Sequence, residues 1–234
     1  MIRKVATGLA AGVLVVGLGC AGGIASAFSL DQLSSSDASA GLKAALDQGV
    51  TSAVATLGRT DGFWSDPKVR IPLPENLQRV RGIMKLMGKG REVDELERAI
   101  NRAAEEAVPQ SRQLLTSAIR SMTVDDAKRI LTGGDDSVTQ FFKARTEPQL
   151  VQRFLPVVSQ VTAQNGLARQ YNSLAGQASQ FGLLKAEDAT IERYVTQKAL
   201  DGLFTMIGEE ERKIRANPLA AGSDIVKRVF GALK

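Results

Sequence analysis

The 234-residue sequence contains no histidine and a single cysteine. Without histidine there is no Ser-His-Asp triad and no imidazole general base. The one cysteine, Cys20, lies in an N-terminal segment expected to be removed. The mature chain is therefore expected to have no disulfide, no thiol nucleophile and no His/Cys zinc site. Any metal would need oxygen ligands alone, which restricts it to calcium, magnesium or manganese. Nothing in the sequence implies a cofactor. Aromatic residues make up only 5%, too few for a base-stacking platform. Lysine plus arginine exceed aspartate plus glutamate by 30 to 25, and by 28 to 25 once Arg3 and Lys4 leave with the leader. That surplus is mild and scattered, so nucleic acid is not an expected partner. No alternating strand pattern reaches five residues, and the sequence has no internal repeat, no long heptad run and no low-complexity segment.

What is present begins with a leader. Residues 1–27 read as a secretory signal: Arg3 and Lys4 form a basic start, Leu9 to Leu18 is apolar, and Ala25-Ser-Ala27 is a small-residue cleavage site before Phe28. The apolar run is short for a membrane span, which disfavours an uncleaved anchor. Processing at Cys20, which would attach a lipid, is the second alternative. Val16 to Gly19 before it is a poor lipobox, because glycine sits where leucine is wanted. The expected location is the periplasm, with an outer-membrane lipoprotein anchored at Cys20 as the alternative, and membrane contact is expected only through that anchor.

Residues 28–234 are expected to form one all-α domain of about eight to ten helices, large enough to hold a real core. The clearest helix runs from Thr196, its expected N-cap, to Asn217-Pro218, near 197–216. Leu200, Leu203, Phe204 and Ile207 fall at i, i+3, i+4, i+7, with Ile214 one heptad on. The rest of the chain is expected to pack around this apolar half. The charged half, with Glu209–Lys213 and Glu211–Arg215 as i, i+4 pairs, is expected to emerge into water.

Other helices follow from the same periodicity: about 37–57, 75–87, 93–107, 109–122 and 124–131. Thr123 to Asp126 is a capping-box-like start. One helix begins at Asp135 or Asp136, another at Glu147-Pro148 with a kink at Pro156, then come 167–181 and a last helix after Ser223. Residues 59–75 form the one long irregular stretch, carrying Phe63 and Trp64. Those two either anchor the loop to the core or form a binding lip.

Several stretches together resemble a known family. They are Thr60 to Phe63, Ile71 to Glu75, Asn101 to Glu105, Ala118-Ile119 with Met122-Thr123, Asp126-Ala127 with Ile130 to Gly133, and Tyr194 to Phe204. They are similar to the bacterial domain-of-unknown-function 4197 family, from about residue 30 to the C-terminus, with a departure at Ser137 to Phe142. The resemblance implies an all-helical exported domain and supplies no activity.

Three sets of candidate residues remain. Leu200, Leu203, Phe204 and Ile207, with Phe141 and Tyr171 on neighbouring helices and Lys198 and Asp201 beside the apolar face, are the expected lining of an inter-helix cavity for an apolar or lipid-like ligand. Asn101 and Glu105 are polar groups on a core-facing helix, suited to a buried hydrogen-bond network. Asp125, Asp126, Asp135 and Asp136 flank a Gly-Gly turn. They are the best metal candidates, yet helix capping explains them better and no metal is expected. The expected function is a non-catalytic binding or accessory protein of the bacterial envelope. The alternatives are a structural or protein-interaction domain working through an envelope partner, and a histidine-free hydrolase or calcium-dependent protein.

Overall fold

The structure is a computed structural model, and it describes residues 35–134, 136–180 and 189–217. The leader, Cys20, Asp135 and the expected helix after Ser223 lie outside the described residues. Among the described residues there are eight α-helices and no strand: α1 (Ser35–Leu57), α2 (Glu75–Leu86), α3 (Gly90–Ala107), α4 (Arg112–Arg120), α5 (Val124–Thr132), α6 (Ser137–Thr162), α7 (Gly166–Gln180) and α8 (Ile191–Ala216). A 3-10 turn, Val108–Ser111, joins α3 to α4 and takes Pro109 in its first turn.

The central element is α8. It packs most extensively on α6, then on α1 and α3. Leu200, Leu203, Phe204 and Ile207 are buried, and so are Ala199, Met206 and Gly208, so the helix is covered around most of its circumference. Each neighbour contributes the apolar stripe its sequence period specifies. From α1 come Leu42, Leu46, Val50, Val54 and Leu57, and from α3 come Leu96, Ile100, Ala103, Ala104 and Ala107, all buried.

Two expected boundaries are corrected. The N-cap of α8 is Thr190, whose Oγ1 accepts the Arg193 N–H at 3.2 Å, not Thr196, which is buried inside the helix. Ile191, Tyr194 and Val195 are buried too, so the apolar face extends more than a turn further back. No new helix begins at Pro148: α6 runs unbroken through Pro148 and Pro156. Its buried residues fall every fourth position from Val138 through Phe142, Thr146, Leu150, Phe154 and Val158 to Thr162, while both prolines face solvent. The carbonyls that lose a partner, those of Ala144 and Gln152, belong to exposed residues and turn to water.

The charged end of α8 is also more enclosed than its composition suggests. Glu211 and Ile214 are buried and, with Ala45, Leu46 and Gly49 of α1, close around a recess of about 10 Å³. The expected Glu209–Lys213 pair is absent: Glu209 meets Lys68 at 2.7 Å and Lys213 meets Glu210 at 2.6 Å.

Candidate functional site

A dense polar construction among the described residues fastens the loop between α1 and α2. Asp61 is left-handed, with φ 63°. At Gly62 a Cβ would lie 2.5 Å from the carbonyl oxygens of both Thr56 and Leu57, so only glycine fits. The carboxylate of Glu105 on α3 faces this turn from the interior. Its Oε1 accepts the N–H groups of Phe63 (3.1 Å) and Trp64 (3.3 Å), and its Oε2 accepts that of Asp61 (3.2 Å). Arg102, one turn earlier on α3, bridges Glu105 and Asp61. The hydrogen bond to Glu105 is the main reason its guanidinium pKa rises above the ordinary arginine value.

Further along, Asn101 is fully buried and reads the backbone of Ile71 as a strand partner would. Its Oδ1 accepts the Ile71 N–H at 2.9 Å, and its Nδ2 donates to the Ile71 carbonyl at 2.8 Å and to the Glu97 carbonyl at 2.8 Å. The Tyr194 hydroxyl donates to the carbonyl of Pro72 at 3.0 Å. Every one of these groups satisfies loop backbone that helices cannot. Asn101 and Glu105 thus have a positioning role and present no free acid or base to a substrate.

The two loop aromatics divide their roles. Phe63 is fully buried against Gly202 of α8. Trp64 is half-buried and meets two guanidiniums over its ring, with Arg70 at 3.6 Å and Arg98 at 4.7 Å from the ring centroid. This stack borders an open groove of about 600 Å³, which α2 and α3 complete with Arg81, Lys85, Arg91, Asp94, Glu95 and Glu97. Arg81 binds Asp94 at 2.6 Å and Glu97 at 2.9 Å. That pairing raises the Arg81 pKa and lowers that of Asp94, in both cases chiefly through their shared hydrogen bond.

Beside the groove, α2 buries no residue. Leu77 and Met84 touch the core, but Val80, Ile83, Leu86 and Met87 are 39, 59, 91 and 68% exposed. These residues are four of the five exposed large apolar side chains among those described. The sequence period predicts the helix over 75–87 and not this exposure, since periodicity marks a face without saying whether anything covers it.

The residues expected to line an inter-helix cavity are placed otherwise. Leu200, Leu203, Phe204 and Ile207 are at most 1% exposed and packed into the core. Tyr171 is buried on α7, and Phe141 is half-buried edge-on to Phe142 at 5.4 Å. Lys198 and Asp201 are half-exposed at the surface, 4.0 Å apart, with Lys143 of α6 3.6 Å from Asp201. They pair with each other and with α6 and do not join the apolar set.

The acidic candidates also separate. Asp126 closes the capping box of α5: it accepts the Thr123 N–H at 3.0 Å, and Thr123 Oγ1 accepts the Asp126 N–H at 3.1 Å. Arg129 at 2.6 Å and Arg145 at 2.9 Å complete its shell. The backbone hydrogen bond from Thr123, with the arginines, holds its pKa down at about 2. Asp136 shares the adjoining groove of about 540 Å³ and accepts from Gln140 at 2.6 Å, while Asp125 is exposed. Among the described residues no three acidic side chains are placed to hold an ion. Sequence reasoning missed Arg70, Glu97, Arg98 and Arg102, each of which has at least one partner distant along the chain: Arg70 with Glu97, Arg98 with Trp64 and Arg102 with Asp61.

The class defined by this architecture is an all-α protein assembled on a buried central helix, with one long loop clamped to its core by polar side chains. A family model described as "Protein of unknown function (DUF4197)" matches residues 32–231, and the chain belongs to that family. No curated protein and no solved structure matches the chain.

Proposed function

We propose that the chain is an exported, non-catalytic accessory protein of the bacterial envelope, and that it meets an apolar or lipid-like partner at the face of α2. One observation carries this reading: Ile83, Leu86 and Met87 are exposed on a helix that buries nothing. Leaving a large aliphatic side chain in water forgoes about 1.5–3 kcal/mol of burial. Four such residues on one short helix therefore mark a surface built to be covered. The leader, with its basic start and its Ala25-Ser-Ala27 cleavage site, supports export. No described helix is long and apolar enough to cross a membrane. The polar interior supports a non-catalytic role, because Asn101, Glu105 and Asp126 are each committed to backbone and arginine partners.

The charged end of α8 is a weaker candidate for contact with a partner, because Glu209 is tied to Lys68 and Glu211 is buried. Fractionation of cells expressing the full chain tests the proposal. Wild type should be exported and recovered with the envelope, and Leu86→Glu should be exported but released in soluble form. Retention of a chain lacking residues 1–27 in the envelope, or identical distribution of wild type and Leu86→Glu, would overturn it.

A further inference from the structure

We infer that the occupant of the α2 face is an anionic lipid surface, on which α2 lies flat with its apolar arc inserted among the headgroups. This rests on the reading of α2 as the working face and adds the chemistry of what it meets. Val80, Ile83, Leu86 and Met87 are spaced i, i+3, i+6, i+7, so they share one arc of the helix. The adjoining arc is fixed inward, where Leu77 and Met84 pack on the core and Arg81 is bound to Asp94 and Glu97 of α3. The rotation of α2 is therefore set, and the apolar arc points away from the protein. It forms a convex ridge, the shape an interfacial helix presents to a bilayer. Twelve residues make α2 about 18 Å long, too short to span and suited to lying in the interface.

Charge selects the kind of surface. From Glu75 to Arg91 the chain carries five cations, Arg79, Arg81, Lys85, Lys89 and Arg91, against the one acid Glu75. The acids of α3 answer Arg81 and Arg91, whereas Lys85 and Lys89 form no ion pair among the described residues. Arg79, paired with the exposed Glu75, lies within the same arc as Ile83 and Leu86, and Lys89 follows the end of the helix; their aliphatic stems let both charges reach anionic headgroups while the arc is buried. The groove adds Arg98 and Arg70 over the Trp64 ring, Arg70 being 3.3 Å from Glu97. The same charge argues against a second copy as the occupant, since two such faces would bring like charges together.

The test uses the mature protein exported from a Cys20→Ser precursor, so that no acyl chain can be attached at that position, and vesicles of phosphatidylcholine with or without a minor fraction of phosphatidylglycerol. Wild type should sediment with the phosphatidylglycerol vesicles, weakly with phosphatidylcholine alone, and less as salt is raised. Ile83→Glu/Leu86→Glu should abolish sedimentation with its helical circular dichroism unchanged, since both positions are already exposed. Arg79→Gln/Lys89→Gln should bind about 30-fold more weakly, about fivefold per cation. Equal binding to both vesicle types, or binding untouched by the double glutamate variant, would overturn the inference. So would a dimer in solution that Leu86→Glu dissociates, which would assign the face to a second copy. Release of Leu86→Glu from the envelope in cells, combined with no vesicle binding by wild type, would refute the lipid assignment and leave α2 as the working face.

Discussion

Gly202→Ala sets two effects of opposite sign against each other at the centre of the molecule. Glycine inside a helix is ordinarily a cost, and replacing it with alanine gains about 0.5–1 kcal/mol where there is room. At Gly202 there is none. A Cβ would sit 2.7 Å from Phe63 Cε1 and 3.4 Å from both Phe63 Cζ and Val69 Cβ, where carbon pairs prefer about 3.5–4.0 Å. The ring cannot swing away cheaply. It is fully buried, and its backbone N–H is held by Glu105 at 3.1 Å. Overpacking of this kind costs about 1–3 kcal/mol, so the net expectation is destabilisation by about 1–2 kcal/mol. Urea unfolding followed by circular dichroism reads the sign directly. Phe63→Leu should remove the clash at the cost of some packing, and in that background Gly202→Ala should become neutral or stabilising, a coupling of about 2 kcal/mol across the pair. A Gly202→Ala protein more stable than wild type would refute the claim that the loop is locked onto α8 through this contact.

Three further outcomes follow from the same geometry. Asn101→Ala leaves the N–H and carbonyl of Ile71 unpaired in the core and should cost about 3 kcal/mol in urea unfolding; Asn101→Asp, which restores the acceptor but not the donor, should rescue little of it. Asp126, with a folded-state pKa of about 2 against an ordinary 3.8, contributes stability that is present above pH 4 and lost as pH falls through 2. Its arginine partners stand partly in water, so the contribution is about 1–2 kcal/mol, and the stability gap between wild type and Asp126→Asn should narrow from pH 5 to pH 2. Gly82→Ala on α2, where a Cβ meets nothing within 4 Å, should strengthen that helix by about 0.5–1 kcal/mol, seen as slower amide exchange from Val80 to Leu86.

The helix faces were legible in the sequence because burial and the 3.6-residue period act together at every turn. Leu42, Leu46, Val50, Val54 and Leu57 are buried along α1, as are Leu96, Ile100, Ala103, Ala104 and Ala107 along α3. Continuity was harder to read, because it depends on which face is wet. Proline breaks a helix whose missing hydrogen bond is enclosed, and Pro148 and Pro156 escape that rule by facing solvent. The start of α8 was obscured by two threonines six residues apart, either of which can cap. Only the burial of Ile191, Tyr194 and Val195 decides for Thr190. Polar residues on an apolar helix were the least legible of all. Lys198 and Asp201 lie next to core positions yet are half-exposed, while Glu211, in the charged tail, is buried.

The clamp explains why scattered short stretches carried the family resemblance. Thr60 to Phe63 supplies the turn that Glu105 holds, Ile71 to Glu75 supplies the backbone that Asn101 reads, and Tyr194 to Phe204 supplies both Gly202 under Phe63 and the hydroxyl on Pro72. These stretches are distant in sequence and meet at one place. That place determines how the loop leaves the core, and so where α2 begins. Helix α2 makes few contacts of its own beyond α3, so its orientation is inherited from the loop that precedes it and from Arg81. Loosening the clamp should therefore change the presentation of Ile83 and Leu86 before it unfolds the molecule. Asn101 and Glu105, buried polar residues of the clamp, are in this way the ones that set the exposed apolar surface of α2.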